Sequence, residues 1–179
     1  MENIRKQVLS ECRQVIVKAG TRLLTSRESI AELVNGLAGL RAEGRRVLLV
    51  SSGAVGMGMK ALKLTKRPKE LAKVQALAAI GQGHLMAIYE EESRKHGFQV
   101  AQLLLTAADL SSRERYLNVM NCINALWDND ILPIVNENDS VSCEGIKFGG
   151  NDTLSAYVGI ASNADIIINL SDINGLYNK

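Results

Sequence analysis

A three-layer α/β sandwich, with helices on both faces of a mainly parallel central sheet, is the fold this sequence predicts. Two observations carry that expectation. Short β-branched or leucine-rich runs (Val15-Ile16-Val17, Arg46 to Val50, Val100 to Leu105, Ile131 to Val135, Asp165 to Leu170) are separated by longer segments of helical period, the pattern of βαβ units. Several of these runs end in glycine-rich or polar turns, and in open α/β sheets such strand ends form the lip where ligands bind.

Between the first two strands, Ile30, Leu33, Val34, Leu37 and Leu40 mark one helical face; Thr25 with Glu28 forms the expected capping box and Gly44 the stop. Pro68 is placed to open a second helix, with Leu71, Val74, Ala78, Leu85 and Tyr89 inward and Gly97 as terminator. Gly81 and Gly83 weaken it locally. Ser111 and Glu114 are expected to cap a third helix carrying Leu117, Met120 and Trp127, and Asp152 to Ser162 makes a short fourth. The last strand is followed by the turn Ser171-Asp172-Ile173-Asn174-Gly175 and the chain stops at Lys179. A parallel sheet normally continues past such a strand, so either another chain covers it or the sequence is a piece of something longer.

With 179 residues the chain has the size of one domain, and its 46% hydrophobic and 22% charged residues are those of a soluble globular protein. Aromatics are few, which makes the interior aliphatic. A net charge of +2 without a Lys/Arg block argues against nucleic acid as a partner; Lys60 to Lys73 reads as a basic loop entering a helix. Cys12, Cys122 and Cys143 are odd in number and lack CxxC spacing, which fits reduced thiols in the cytoplasm better than disulfides, and no metal site is expected. The polar stretch from Met1 to Gln14 and the lack of a long apolar run support neither secretion nor a membrane.

Asn136-Glu137-Asn138-Asp139 and Asn151-Asp152 place two acid-amide clusters in one excursion after the strand ending Pro133-Ile134-Val135. Asp139, Asn151 and Asp152 together offer a cation-binding, hydrogen-bonding wall suited to a small zwitterion, although Asn/Asp-rich segments are commonly turns and caps. Lys18 ends the first strand beside Ala19-Gly20-Thr21, an arrangement found at phosphate sites, yet a lone strand-end lysine is more often a solvated charge. Ser51-Ser52-Gly53-Ala54-Val55-Gly56-Met57-Gly58 forms a second glycine-rich turn whose N–H groups can receive an anion; Gly56 and Gly58 read equally as packing residues. His84 and His96 lie away from every strand end, which leaves hydrolysis by a Ser/His or Cys/His pair without its base. A reaction that needs no base fits better. Phosphoryl transfer to a carboxylate is one, since a group with a pKa near ~4.3 is already ionised. Its obstacle is repulsion of about 4 kcal/mol per charge pair at ~4 Å and an effective dielectric of 20. Lys18, donors from Gly20 and a nucleotide-borne Mg2+ would offset it.

These motifs in this order resemble the amino-acid kinase family, and within it the branch acting on glutamate. Val17-Lys18-Ala19-Gly20-Thr21 is similar to VKxG[ST], Ser51 to Val55 to SSGA[VI], and Leu103 to Thr106 with Arg113 to Asn118 to LLT…RxRYLN. Asn136 to Asp139 is similar to NEND, Gly150 to Ala156 to DNDxLSA, and Leu170-Ser171-Asp172 with Gly175-Leu176-Tyr177 to L[TS]DxxGLY. The resemblance implies the amino-acid kinase fold and ATP-dependent phosphorylation of the γ-carboxylate of L-glutamate to γ-glutamyl phosphate, the first step of proline biosynthesis. It implies catalytic roles for Lys18, which stabilises the transferred phosphoryl group, and Asp152, which organises the catalytic lysines. Ser52, Asp139 and Asn151 would hold glutamate, while Lys18, Gly20, Ser171 and Asp172 would contact ATP, with Mg2+ carried by the nucleotide. A homo-oligomer, proline as feedback inhibitor and a glutamate-5-semialdehyde dehydrogenase as partner are implied in the same way.

Two departures stand out. Gly150 replaces an aspartate usual before the Asn-Asp pair, which removes a negative charge. The family's kinase domain also runs past GLY[DN], so residues 1–179 are expected to be its N-terminal portion, C-terminally truncated, with the distal nucleotide-binding part absent. Rival readings are a kinase of acetylglutamate, aspartate or a nucleoside monophosphate, and a non-catalytic fragment that binds glutamate or proline. Asp139 separates the first of these, because an acylated amine offers it no cation.

Overall fold

Residues 2–142 and 150–171 are described by a computed structural model, with Ile4, Arg5, Val8 and their neighbours Glu2 and Asn3 described in backbone only. Five strands, β1 (Gln14–Ala19), β2 (Arg46–Ser51), β3 (Val100–Leu105), β4 (Leu132–Glu137) and β5 (Ile166–Leu170), form one sheet in the order β3-β4-β2-β1-β5. Every pairing in it is parallel. The helices are α1 (Glu2–Glu11), α2 (Arg27–Ala42), α3 (Ala54–Ala61), α4 (Leu71–Arg94), α5 (Ala107–Ser111), α6 (Arg113–Asp128) and α7 (Asn151–Ala161).

Side chains alternate across a strand, and the register converts that alternation into two cores. Val15, Val17, Val47, Leu49, Leu132 and Ile134 face α2, α3 and α4, where Ile30, Val34, Leu37, Met57, Leu85 and Tyr89 meet them. Ile16, Leu48, Val50 and Val135 face α6 and α7 and pack on Met120, Ile123, Trp127, Leu154 and Val158. Strand β2 is buried on both faces from Val47 to Val50, which is why it reads as an unbroken apolar run. Each fully buried aliphatic side chain contributes about 2 kcal/mol relative to exposure, as an upper figure. The expected sandwich is therefore present, and its sheet is wholly parallel among the described residues.

Several boundaries differ from expectation. Ser26, not Thr25, caps α2, its hydroxyl accepting from the Ser29 N–H. Pro68 does not open the second long helix: α3 forms first, right after Gly53, and α4 begins at Leu71 behind Glu70. The third helix is two, because Thr106 and Asp109 form a capping box that starts α5, while α6 follows Ser112; on α6 Met120 and Trp127 are buried and Leu117 is 45% exposed. The polar N-terminus forms α1, which its composition does not announce, and α7 starts one residue earlier than expected.

Gly81 has a packing function that outweighs its local cost to the helix. A Cβ there would lie 1.8 Å from the Ala54 carbonyl oxygen, and one on Gly58 would lie 2.0 Å from that of Leu77. The two glycines let α3 and α4 cross backbone to backbone. On the same layer Glu92, buried on α4, accepts from Arg27 of α2 and from Lys95. The Lys95 hydrogen bond first, and that of Arg27 with it, hold the Glu92 carboxyl below its usual range against the opposing effect of burial.

Candidate active site

Because all strands run parallel, Ala19, Ser51, Leu105, Glu137 and Leu170 end on one edge of the sheet, and every candidate residue within the described range lies there. Lys18 occupies the even-numbered face of β1, next to α7. Its Nζ pairs with Asp152 Oδ1 at 2.7 Å, in the first turn of α7, and the Asn169 amide of β5 donates to the same oxygen at 3.1 Å. Lys18 is only 8% exposed.

A cleft of about 480 Å³ opens beside this pair, lined by Thr21, Arg67 and the α3 turn on one side and by Asn136, Glu137, Asp139 and Asn151 on the other. Ser52 is on its wall as well. Gly53 has φ 98°, a left-handed conformation that favours glycine, and it delivers the chain from β2 into α3 at the cleft's rim. Gly56 and Gly58 lie inside α3, so the expected glycine-rich turn is confined to Ser52 and Gly53.

The neighbours Asn151 and Asp152 part company. Successive residues of a helix point about 100° apart, so Asp152 takes Lys18 while Asn151 lines the cleft. The expected three-residue wall is thus two residues, Asp139 and Asn151. The Asn151 Nδ2 donates to Ser52 Oγ (2.8 Å), and it lies 3.0 Å from both the Ser51 carbonyl and Asn136 Oδ1. Asn136, which the sequence marks only as part of a motif, is 1% exposed at the end of β4 and is a structural member of the site, as is Gln82 of α4, which accepts from it at 2.9 Å. A buried asparagine ending an apolar strand was the available signal for the first. Gln82 carried none, because one glutamine in a long amphipathic helix looks like surface.

Gly20 has an extended backbone that any residue adopts, and a Cβ on it would lie 3.6 Å from Lys18 Nζ. A side chain there would touch the ammonium at ordinary van der Waals distance. Ser171 lies across the edge, in a second cavity of about 510 Å³ between α2 and β5 that also contains Arg22 and Asn169. Asp172, Cys143 and the Gly175-Leu176-Tyr177 motif lie outside the described residues. Gly150, which precedes α7, has φ 110° and ψ 171°, a region essentially limited to glycine, so an aspartate would be strained in this backbone. His84 and His96 are exposed, and no group of metal-ligating side chains occurs among the described residues. Cys12 and Cys122 are free thiols. No helix among the described residues is long and apolar enough to cross a membrane.

This parallel α/β sandwich has counterparts among known proteins. The family model described as the amino acid kinase family matches residues 13–179, and the chain belongs to that family. Among relatives, it is 46% identical to the glutamate 5-kinase of Clostridium acetobutylicum over 99% of this chain and 68% of that protein. It is 48% identical to the glutamate 5-kinase of Thermus thermophilus over 93% of this chain and 46% of that one, and 42% identical to the Geobacter metallireducens enzyme over 98% and 49%. The chain thus spans about half the length of most of these relatives. Two solved structures share the fold at 14% identity: Giardia carbamate kinase, with a TM-score of 0.63 over 94% of this chain and 76% of that one, and aspartate kinase from Synechocystis, at 0.56 over 90% and 28%.

Proposed function

We propose that this chain carries the amino-acid half of an ATP-dependent glutamate 5-kinase, which phosphorylates the γ-carboxylate of L-glutamate to γ-glutamyl phosphate, the first step of proline biosynthesis. The observation that carries the reading is the adjacency of two unlike environments on one sheet edge: a lysine held by an aspartate, and a cleft with Asp139, Ser52 and Asn151 on its walls. The identity to glutamate 5-kinases over nearly the whole chain supports glutamate as the amino acid.

In this reading Asp139 receives the α-ammonium, and Ser52 and Asn151 hydrogen-bond the substrate so that its γ-carboxylate is aimed toward Lys18. The carboxylate oxygen is already anionic and forms the new P–O bond without giving up a proton, while the bond to the β-phosphate oxygen breaks and ADP leaves. Lys18 supplies positive charge to the phosphoryl group in transit, and Asp152 keeps its ammonium at the strand end. The donor set fits a polyphosphate: an ammonium fixed by Asp152, beside a glycine backbone that carries no side chain. Bound ATP with its Mg2+ supplies the phosphoryl group and neutralises the departing charge. Ser171, and Asp172 beyond the described residues, are assigned to the nucleotide.

Residues 1–179 correspond here to the N-terminal portion of one kinase domain, and most of the adenine-binding machinery to the part of the relatives that the match does not reach. An acyl phosphate hydrolyses readily, so a reducing enzyme such as glutamate-5-semialdehyde dehydrogenase would consume it, and proline, the end product, would act as feedback ligand. Assembly as a homo-oligomer and a cytoplasmic location, where ATP and reduced thiols coexist, complete the proposal. The test pairs calorimetric titration of L-glutamate with ATP-dependent γ-glutamyl hydroxamate formation. Binding with turnover supports the full reading; binding without turnover assigns the chain to the amino-acid half alone; no binding overturns it.

A further inference from the structure

Behind the cleft runs a chain of side-chain amides that no motif predicts. Asn151 donates to Asn136 Oδ1 (3.0 Å), Asn136 Nδ2 donates to Gln82 Oε1 (2.9 Å), and Gln82 Nε2 donates to Gln102 Oε1 (3.1 Å). All three bonds point the same way, from the cleft through β4 and α4 to β3, so each amide polarises the next. Asn136 is 1% and Gln82 6% exposed, so both amides are satisfied by their protein neighbours. The order also fixes which end of each amide faces where. Asn136 Oδ1 additionally accepts from the Glu137 N–H at 2.9 Å, so turning that amide over would set donor against donor. Turning Asn151 over would set its carbonyl oxygen against the Ser51 carbonyl and Asn136 Oδ1.

One atom is left over. With its NH2 group committed to Ser51, Ser52 and Asn136, Asn151 keeps a buried Oδ1 that has no hydrogen-bond partner. A buried acceptor without a donor is costly, and this one belongs to a residue on the cleft wall. Resting on the reading of the cleft as an amino-acid site, we propose that Gln82 is a positioning residue: through Asn136 it holds the Asn151 carboxamide with its NH2 turned inward and its oxygen reserved for the ammonium of the bound amino acid. Gln82 sits where α4 can act this way because Gly81 beside it brings the helix into backbone contact with α3.

Gln82→Met keeps the length of the side chain and removes the acceptor for Asn136. Its Kd for L-glutamate, by calorimetry, is expected to rise about tenfold, the effect of misplacing one hydrogen bond to a charged group. Gln82→Glu keeps an acceptor for Asn136 but loses the donor to Gln102, and it is expected to retain more affinity for L-glutamate than Gln82→Met. An affinity for Gln82→Met within about twofold of the parent, or equal losses in both variants, would overturn the role. A parent chain that does not bind glutamate fails the amino-acid reading itself, which is a different result. Should Gln82→Met not fold, Gln102→Met at the exposed end of the chain of amides replaces it: the Asn151 side-chain amide signal in a 15N spectrum is expected to move, and an unmoved signal overturns the coupling.

Discussion

Lys18 and Asp152 meet at 2.7 Å in an ion pair that is lopsided in its exposure: the lysine side chain retains 10% of its accessible surface and the aspartate 66%. A mostly buried ammonium is thereby held at a fixed point on the sheet edge by a partner that water still reaches, leaving the cation's position defined without enclosing the pair.

Replacing Lys18 by Met removes that charge while keeping the stem that fills the space beneath it. In an enzyme with turnover, product formation is expected to fall by orders of magnitude, with glutamate affinity changed by less than about threefold, because in the proposed role the lysine acts on the phosphoryl group in transit. Steady-state hydroxamate assays set against calorimetric Kd values separate the two, and equal losses in both would remove the assigned role.

Asp139, on the wall of the cleft, is expected to recognise the free amine. Asp139→Asn should weaken glutamate binding by about 1.5–3 kcal/mol, the range for a hydrogen bond to a charged group. N-acetylglutamate lacks the cation, so its weaker binding should not change. Competitive titration of both ligands against both proteins reads this directly, and a parent preference for the acetylated compound would reassign the substrate.

Gly81 and Gly83 lie two residues apart on α4 and should respond oppositely to alanine. At Gly81 the added carbon meets the Ala54 carbonyl at 1.8 Å, so Gly81→Ala should destabilise by at least about 1–3 kcal/mol through overpacking. At Gly83 nothing lies within 4 Å, and alanine should stabilise the helix by about 0.5–1 kcal/mol. Thermal melts of the two variants, expected to move to either side of the parent, are the check.

Asp165 joins the starts of β5 and β1, its Oδ2 accepting from the backbone N–H groups of Arg13 (2.6 Å) and Gln14 (2.8 Å). The Gln14 donor first, then that of Arg13, hold its pKa below the ordinary 3.8. The unfolded chain therefore binds the proton more readily than the folded one. The stabilisation is complete above that ordinary value and fades as pH falls through the lower, folded one. Melting temperatures taken from about pH 7 down to about pH 3 should decline more steeply for the parent than for Asp165→Asn, which has no carboxylate there to protonate.

Much of this architecture was legible in the chain before any coordinates. Runs such as Val47 to Val50 are apolar on both alternating faces, and that property is local, so each strand was found within a few residues. Helix starts were less legible: Ser26 and Thr25 are neighbours of similar capping strength, and only the Ser29 N–H, once positioned, chooses between them. Pro68 was misleading for a related reason. It can begin a helix, but whether it does depends on how α3 meets α4, through close contacts of Gly58 and Gly81 that no propensity encodes.

The same division runs through the site. Local pattern was sufficient to collect Lys18, Ser52, Asp139, Asn151 and Asp152 as residues at or after strand ends, because in a parallel sheet all strand ends reach one edge. Which of them face each other was decided by strand order and helix phase. Strand β1 lies between β2 and β5, so Lys18 meets the start of α7; one step of that helix gives Asp152 to the lysine and Asn151 to the cleft. Gln82 entered the site for the same physical reason: hydrogen bonds join atoms near in space, and 54 residues of chain separate it from Asn136 until the fold closes that distance to 2.9 Å.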